Sequence, residues 1–174
     1  MTLEDVRTLY LYNDWANDRL VQMLYTVFGE ETDLRETDDA QTLAIQEAAV
    51  HIIGSQWMWR SRCLGTSPAA RMDASEYPTP LAIRFAFGAE RARFWGYFET
   101  LTSDDDLNRI VAFQTTEGAP YETPLYQILQ HVITHGGYHR GQITGRLLDR
   151  GHEEAILSTD LIGYYRELQE SSSG

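Results

Sequence analysis

Four long segments of this chain place apolar residues at alternating spacings of three and four, the periodicity of an amphipathic α-helix. The stretches between them are rich in Pro, Gly, Asp and Ser, which interrupt helices. Helices that each carry one apolar stripe must bury it against one another, so the pattern predicts an all-α four-helix bundle. At 174 residues the chain is long enough for one sizeable core, and we expect a single domain over residues 1–174.

The first two predicted helices carry polar residues on their inward stripes. The first begins near residue 3 and places Asn13 and Asn17 where core residues are expected. The second runs from about residue 42 to residue 64 and places His51 on its core stripe, with small residues on both sides. Both stripes therefore combine core positions with groups that need polar partners.

Two of the predicted helices share a start signal. Thr79 and Thr123 are each followed by a proline, and a Thr-Pro pair is typical of an N-cap and the first helical position. Between these helices, Ile110 to Tyr121 holds β-branched and aromatic residues with a turn at Glu117-Gly118, which predicts a short hairpin before the last long helix. Residues 158–165 are expected to pack back onto the bundle.

The charge of the chain limits its partners. It has 14 basic and 26 acidic residues and a net charge of −12, and such a field repels phosphate backbones, so no nucleic acid is expected as a partner. A basic leader is absent from the first residues, and no apolar run approaches the roughly 18 residues that a membrane span needs. We therefore expect a soluble, cytoplasmic protein with no membrane partner. Cys63 is the only cysteine, which excludes an internal disulfide and a thiolate metal cage.

Three histidines of the fourth predicted helix, His131, His135 and His139, recur every four residues. A step of four rises about 6 Å and rotates about 40°, so neighbours in this row can share one ion, whereas the outer two, about 12 Å apart along the axis, cannot. The apolar stripe favours His135 and His139, which occupy positions where leucine is expected. His131 lies toward the flank, where we expect it to face water or to support another residue.

A third ligand is available on the second helix. Alone, His51 is more typical of a hydrogen-bonded core histidine, but with two neighbouring imidazoles it completes a site for one divalent transition metal. All-imidazole ligands suit Zn and Ni, and also Fe, Co and Cu, so the sequence does not select the metal. Three protein ligands leave a fourth position open, as in catalytic rather than structural sites.

Polar residues near these histidines have two interpretations each. Glu47 lies one turn before His51 and is either an outer carboxylate, which orients an imidazole or accepts a proton, or a solvated residue of the helix surface. Asn13 and Asn17 either line the metal pocket or form hydrogen bonds across helices.

The residues around His139 also leave alternatives open. Arg140 and Gln142 either make surface contacts or support the neighbouring imidazole. Gly136 and Gly137 each cost about 1 kcal/mol relative to Ala in mid-helix, which indicates that a bulky neighbour approaches the backbone there. The candidates for that neighbour are Trp15, Trp57 and Trp59.

Taken together, these residues resemble the DinB-like family. The resemblance rests on Trp15-Ala16-Asn17, on His51 followed by Trp57-Met58-Trp59, and on the segment His131 to Gln142, which ends in His139-Arg140-Gly141-Gln142. It implies a bundle with up-down-down-up connectivity and frequent homodimers. It also implies a metal held by one histidine of the second helix and two of the fourth, which correspond to His51, His135 and His139.

Relatives of assigned chemistry in that family are thiol-dependent enzymes, among them S-transferases that use bacillithiol or mycothiol and a maleylpyruvate isomerase. The resemblance therefore implies a metal-dependent transferase in which a low-molecular-weight thiol attacks a small-molecule substrate. We expect that substrate to lie near Asn13, Asn17 and Trp57. A non-catalytic or stress-associated metal-binding protein is one alternative. A metal-dependent hydrolase that uses bound hydroxide is the other.

Overall fold

The computed structural model describes residues 1–171. Four long helices form the predicted all-α bundle: α1 (Leu3–Phe28), α2 (Ala40–Cys63), α3 (Pro80–Phe98) and α4 (Leu125–Asp149). An antiparallel hairpin of β1 (Ile110–Gln114) and β2 (Pro120–Pro124) precedes α4, and α5 (Leu161–Ser171) follows it. Short 3-10 helices lie at Ala74–Glu76, Asp104–Asn108 and Glu153–Ala155. The last three residues of the predicted domain, 172–174, lie outside the described residues.

The contacts between the long helices give up-down-down-up connectivity. Residues early in α1 contact the end of α3 and residues late in α1 contact its start, so these two helices are antiparallel. By contrast, α1 and α4 are parallel, because Tyr10 bonds the carbonyl of Leu129 and Asn17 bonds Arg140 further along both helices. Helix α2 runs antiparallel to α4. No helix within residues 1–171 is long and apolar enough to cross a membrane.

Because α2 and α3 run in the same direction, the chain between them must return along the bundle. This return segment, residues 64–79, is fixed to α2 by Gln46, whose buried side-chain amide donates to the carbonyls of Ala74 (3.0 Å) and Tyr77 (2.9 Å). The segment therefore covers one side of the groove between α2 and α4.

The apolar core has two parts separated by a layer of buried polar residues. One apolar cluster contains Tyr10, Phe94 and Leu129, and the other contains Leu20 and Ile143. Between them, each of the four long helices contributes buried polar side chains, which we call the polar layer: Asn13, Asn17, Gln56, Glu90 and Arg140. Buried polar groups need mutual partners, so this layer fixes how the helices face one another.

The predicted helix starts were right at α3 and wrong at α4. Thr79 accepts a hydrogen bond from the Ala82 amide (3.1 Å), as an N-cap does. Thr123 does not cap α4, because it belongs to β2 and pairs with Val111. The ladder engages the backbone of β2 up to Pro124, so α4 starts at Leu125 without a side-chain cap.

The hairpin and the C-terminal tail follow the predictions. Gly118 adopts φ 86° in the connection between the strands, a conformation that favours glycine. Helix α5 packs on α1, where the Trp15 indole donates to Glu167 (2.8 Å) and Tyr164 packs near Tyr12.

Candidate metal centre

Three histidines meet where α2 faces α4. The Nε2 atoms of His51 and His135 are 3.0 Å apart. One ligand atom each from His51, His135 and His139 lies within 4.8 Å of the other two, and all three residues are half-buried. The two α4 residues are one helical turn apart and lie across from the single α2 residue, so one ion could contact all three.

The spacing of the nitrogens fits a shared metal ion. Two imidazole nitrogens that are each about 2.0–2.1 Å from one ion, at angles between a right angle and a tetrahedral angle, lie about 2.8–3.4 Å apart. The separation of 3.0 Å between His51 and His135 falls in that range. The three rings are also mutually perpendicular within about 25°, which lets each aim an edge nitrogen at a common point.

Gln142 orients the third imidazole. Nδ1 of His139 lies 2.8 Å from Oε1 of Gln142, and because an amide oxygen only accepts, Nδ1–H is the donor. The lone pair of His139 is then on Nε2, the nitrogen that a metal would use. The structure agrees with the interpretation in which Gln142 supports the imidazole of His139.

His51 and His135 are held in the form that coordinates metals. Burial lowers the pKa of His135 to about 4, and its neighbours His139 and His51 add to this effect. Burial also lowers the pKa of His51. Both rings are therefore neutral at neutral pH and keep a free lone pair for a metal.

A cavity of about 800 Å³ opens beside the three histidines. It lies between α2 and α4 and is bounded by the return segment and by the hairpin turn. Glu47 lies at its wall with an exposed carboxylate, and His131 and Gln142 line it from α4. Three arginines also contribute to the lining: Arg62, Arg71 and Arg146.

His131 lies outside the candidate ligand group, which agrees with the limit that His131 and His139 cannot share one ion. Its ring is 5.2 Å from that of His135 and 5.2 Å from that of Trp59, measured between centroids. It therefore forms part of the cavity wall one turn beyond the three convergent histidines.

The sequence matches the model of the DinB family over residues 1–167. The chain belongs to the DinB family. It is similar to "Protein DinB" of Bacillus subtilis (strain 168), with 24% identity over 154 residues that cover 84% of this chain and 87% of that protein. The family resemblance inferred from the last-helix motif and from the helix-two histidine is thus confirmed.

In this DinB family member, three residues predicted near the substrate do not line the cavity. Asn13 and Asn17 are 0% and 1% exposed, and their side-chain oxygens accept hydrogen bonds from Nη1 of Arg140 at 3.0 and 2.8 Å. Trp57 lies outside the cavity lining, where Trp59 is the tryptophan present. The cross-helix interpretation of the two asparagines is the one that the structure contains.

Arg140 is the residue whose role the sequence analysis missed. The inward position on α4 belongs to Arg140, which is 0% exposed, and the adjacent His139 faces the cavity instead. A Cβ at Gly136 would lie 3.0 Å from Nη1 of Arg140 and 3.2 Å from Oδ1 of Asn13. The close neighbour predicted for Gly136 is therefore this polar pair and not a tryptophan.

One sequence signal could have identified Arg140. Asn13 and Asn17 lie one turn apart on an inward stripe, and Gly136 lies one turn before Arg140 on another. The two asparagine amides offer oxygens that accept hydrogen bonds, and the glycine leaves room between the helices. Together they predict that one long donor side chain lies there. The guanidinium fills this space and fixes the rotation of α4, and hence the direction in which His135 and His139 point.

Proposed function

We propose that this DinB family member is a metal-dependent enzyme of the thiol S-transferase type. His51, His135 and His139 hold one divalent transition metal, with zinc or nickel the first candidates. The observation that carries the proposal is the convergence of three imidazole nitrogens within 4.8 Å on the wall of an open cavity. A closed structural site would instead surround the ion with four protein ligands.

The chemistry follows from the open position. A bound divalent cation lowers the pKa of a coordinating thiol, so the sulfur becomes a thiolate nucleophile at neutral pH. The chain's own residues orient the ligands and accept the proton. Gln142 holds Nδ1 of His139, which leaves Nε2 free for the metal. Glu47, exposed at the cavity wall one turn before His51, receives the proton that the thiol loses. The thiolate sulfur then forms a bond to the electrophilic atom of the substrate, and the leaving group departs with the bonding electrons.

The first test is metal content. We expect about one divalent ion per chain after dialysis against zinc or nickel, measured by elemental analysis. His51→Ala should lose the ion. A parent protein that stays metal-free, or a His51→Ala variant that retains the full content, would exclude the site.

The second test is activity with defined thiols. The metal-loaded protein is incubated with bacillithiol, mycothiol or glutathione and a generic electrophile, and thioether formation is followed. His139→Ala should abolish the rate, whereas His131→Ala, a matched change on the same face of α4, should retain metal and most of the rate. Equal rates for parent and His139→Ala with all three thiols would contradict the transferase function.

A non-catalytic metal-binding role is the second candidate, and one observation favours it. The three histidines connect α2 directly to α4, so a bound ion would also brace the bundle. Cobalt substitution discriminates the two roles: a visible spectrum that changes when thiols are added shows an exchangeable position. A spectrum that no thiol or small anion alters would favour the bracing role.

A further inference from the structure

Arg62 lines the same cavity as the three histidines and is not used by the proposed chemistry. It lies three turns after His51 on α2, about 16 Å along the axis and on nearly the same face. Helical side chains lean toward the N-terminus, so Arg62 leans back toward His51. The metal-binding histidines and the guanidinium thus lie at two ends of one cavity, with His131 between them.

The guanidinium is held in place by two aromatic rings. Its central carbon lies 4.5 Å from the ring centroid of Trp59 and 4.8 Å from that of Phe113, and the residue is only 6% exposed. Cation–π contacts of this kind fix the position of the group. They do not supply an oxygen for any of its N–H donors.

Arg62 lacks the acceptor that a buried guanidinium needs. Its Nε is buried and has no hydrogen-bond partner within residues 1–171, and no ion pair of that part of the chain includes it. The nearest opposing charge is Glu117 on the hairpin turn, which acts on Arg62 at longer range and accepts a hydrogen bond from the Thr116 hydroxyl (2.7 Å). Desolvation without a counter-charge is unfavourable for a cation, and burial accordingly lowers the pKa of Arg62.

A neighbouring arginine, Arg60, has a counter-charge within the bundle. Arg60, two residues earlier, pairs through two hydrogen bonds (2.6 and 3.1 Å) with Glu90, a buried residue of α3. The fold thus provides a carboxylate for Arg60 and none for Arg62. Arg62 differs from the core-facing Arg140 because it lines the open cavity, so an acceptor from outside the chain can reach it.

We propose that Arg62 binds a carboxylate of the molecule that occupies the cavity, which is therefore an elongated organic acid. That its other end reaches the metal rests on the proposed function; the Arg62 subsite does not. A planar carboxylate with one negative charge matches the fork of a guanidinium. A dianion such as phosphate is less well matched, because Glu47, Asp73 and Glu117 also line the cavity.

The subsite is tested on the full-length, metal-free protein with hexanoate, and with hexanamide as its neutral counterpart. The Nε–Hε signal of Arg62 is followed by NMR during the titration. Hexanoate should shift this signal, and Arg62→Met should weaken hexanoate binding about ten-fold or more while leaving hexanamide unchanged. Arg71→Met is the matched control, because Arg71 lines the cavity but is exposed and makes no ring contact; it should change the affinity by about two-fold or less.

Two further variants guard against misfolding of Arg62→Met. Arg62→Lys keeps the charge but loses the planar fork and should weaken hexanoate less than Arg62→Met does. Glu117→Gln removes the competing carboxylate and should tighten hexanoate binding. If Arg62→Met and Arg71→Met weakened hexanoate binding equally, the combined charge of the arginines in the cavity would explain the affinity. That result would overturn the subsite. Phosphate binding at Arg62 in preference to hexanoate would overturn the assignment to a carboxylate.

The cobalt-loaded protein separates this inference from the proposed function. ω-Mercaptocarboxylates of increasing chain length are compared with the corresponding ω-mercaptoalcohols by the thiolate-to-cobalt absorption. Tighter binding of the acids at one chain length, lost in Arg62→Met, supports both proposals. Equal affinity of acids and alcohols overturns the carboxylate inference alone. No absorption change with either series, while hexanoate still shifts Arg62, overturns the metal–thiol chemistry alone.

Discussion

Adjacent residues 139 and 140 point into different environments, and this difference organises the candidate site. His139 faces the cavity and is half-buried, whereas Arg140 faces the core and is fully buried. Successive helical residues are rotated by about 100°, so both directions are available to neighbouring positions. The imidazole of His139 can therefore bind a metal, and the guanidinium of Arg140 belongs to the polar layer.

Alanine variants of the three α4 histidines test the assignment at residue level. His135→Ala and His139→Ala should lose metal, because their ligand atoms lie within 4.8 Å of each other and of His51. His131→Ala should retain it, because His131 and His139 are about 12 Å apart along the axis and cannot share one ion. Calorimetric titration with zinc measures this. If His139→Ala bound zinc normally and His131→Ala did not, the metal site would lie one turn earlier on α4.

Two glycines of α4 allow a matched test of the packing around Arg140. Gly136→Ala should lower the free energy of unfolding by about 1 kcal/mol or more, because the new Cβ displaces a guanidinium held by both asparagines. Gly141→Ala, where nothing lies within 4 Å of a new Cβ, should raise it by about 0.5–1 kcal/mol through helix propensity. Urea unfolding measures both. A stabilised Gly136→Ala would mean that Arg140 moves freely.

At the level of elements, α2 and α4 meet along a seam that contains imidazoles from both helices. Such a seam is sensitive to protons. The folded protein holds the pKa of His135 at about 4, below the ordinary value of 6.5. Between these values the unfolded chain binds a proton that the folded chain resists, so the free energy of unfolding falls as pH drops through that window and levels off below it.

We therefore expect the metal-free protein to be less stable at pH 5 than at pH 7, with part of the loss due to His135. His135→Gln should show a smaller difference in urea midpoint between the two pH values. His152, which lies outside the candidate ligand group, is changed to Gln as the control. An identical pH dependence of parent and His135→Gln would contradict the depressed pKa.

The whole molecule combines a strongly acidic surface with a cavity that contains three arginines and four histidines. Its net charge is −12, whereas the charged residues that line the cavity are three arginines and three carboxylates: Arg62, Arg71, Arg146, Glu47, Asp73 and Glu117. These formal charges balance, so the cavity is less acidic than the chain as a whole and repels small anions less. The single domain over residues 1–174 and the homodimer implied by the family resemblance stay predictions.

Removing the metal should destabilise the entire bundle, since an ion that binds only the folded state stabilises it by mass action. At a free zinc concentration about 100 times the dissociation constant, the gain is about 2.7 kcal/mol. Differential scanning calorimetry with and without chelator at neutral pH should show a lower Tm in the chelated sample. The His51→Ala variant should show no chelator effect, and an unchanged Tm of the parent would mean that the ion adds nothing to the fold.

The sequence by itself determined the four helices, the hairpin turn at Gly118, and the limit that His131 and His139 cannot share one ion. These features depend on spacing along one element, which helical and strand periodicity fix locally. The tertiary structure decided the start of α4, because Thr123 is engaged by a partner strand. It also decided that Arg140, rather than His139, faces the core, because the rotation of α4 depends on the two asparagines that α1 presents to it. A helix has one periodicity but no intrinsic inward direction, and only its neighbours supply one.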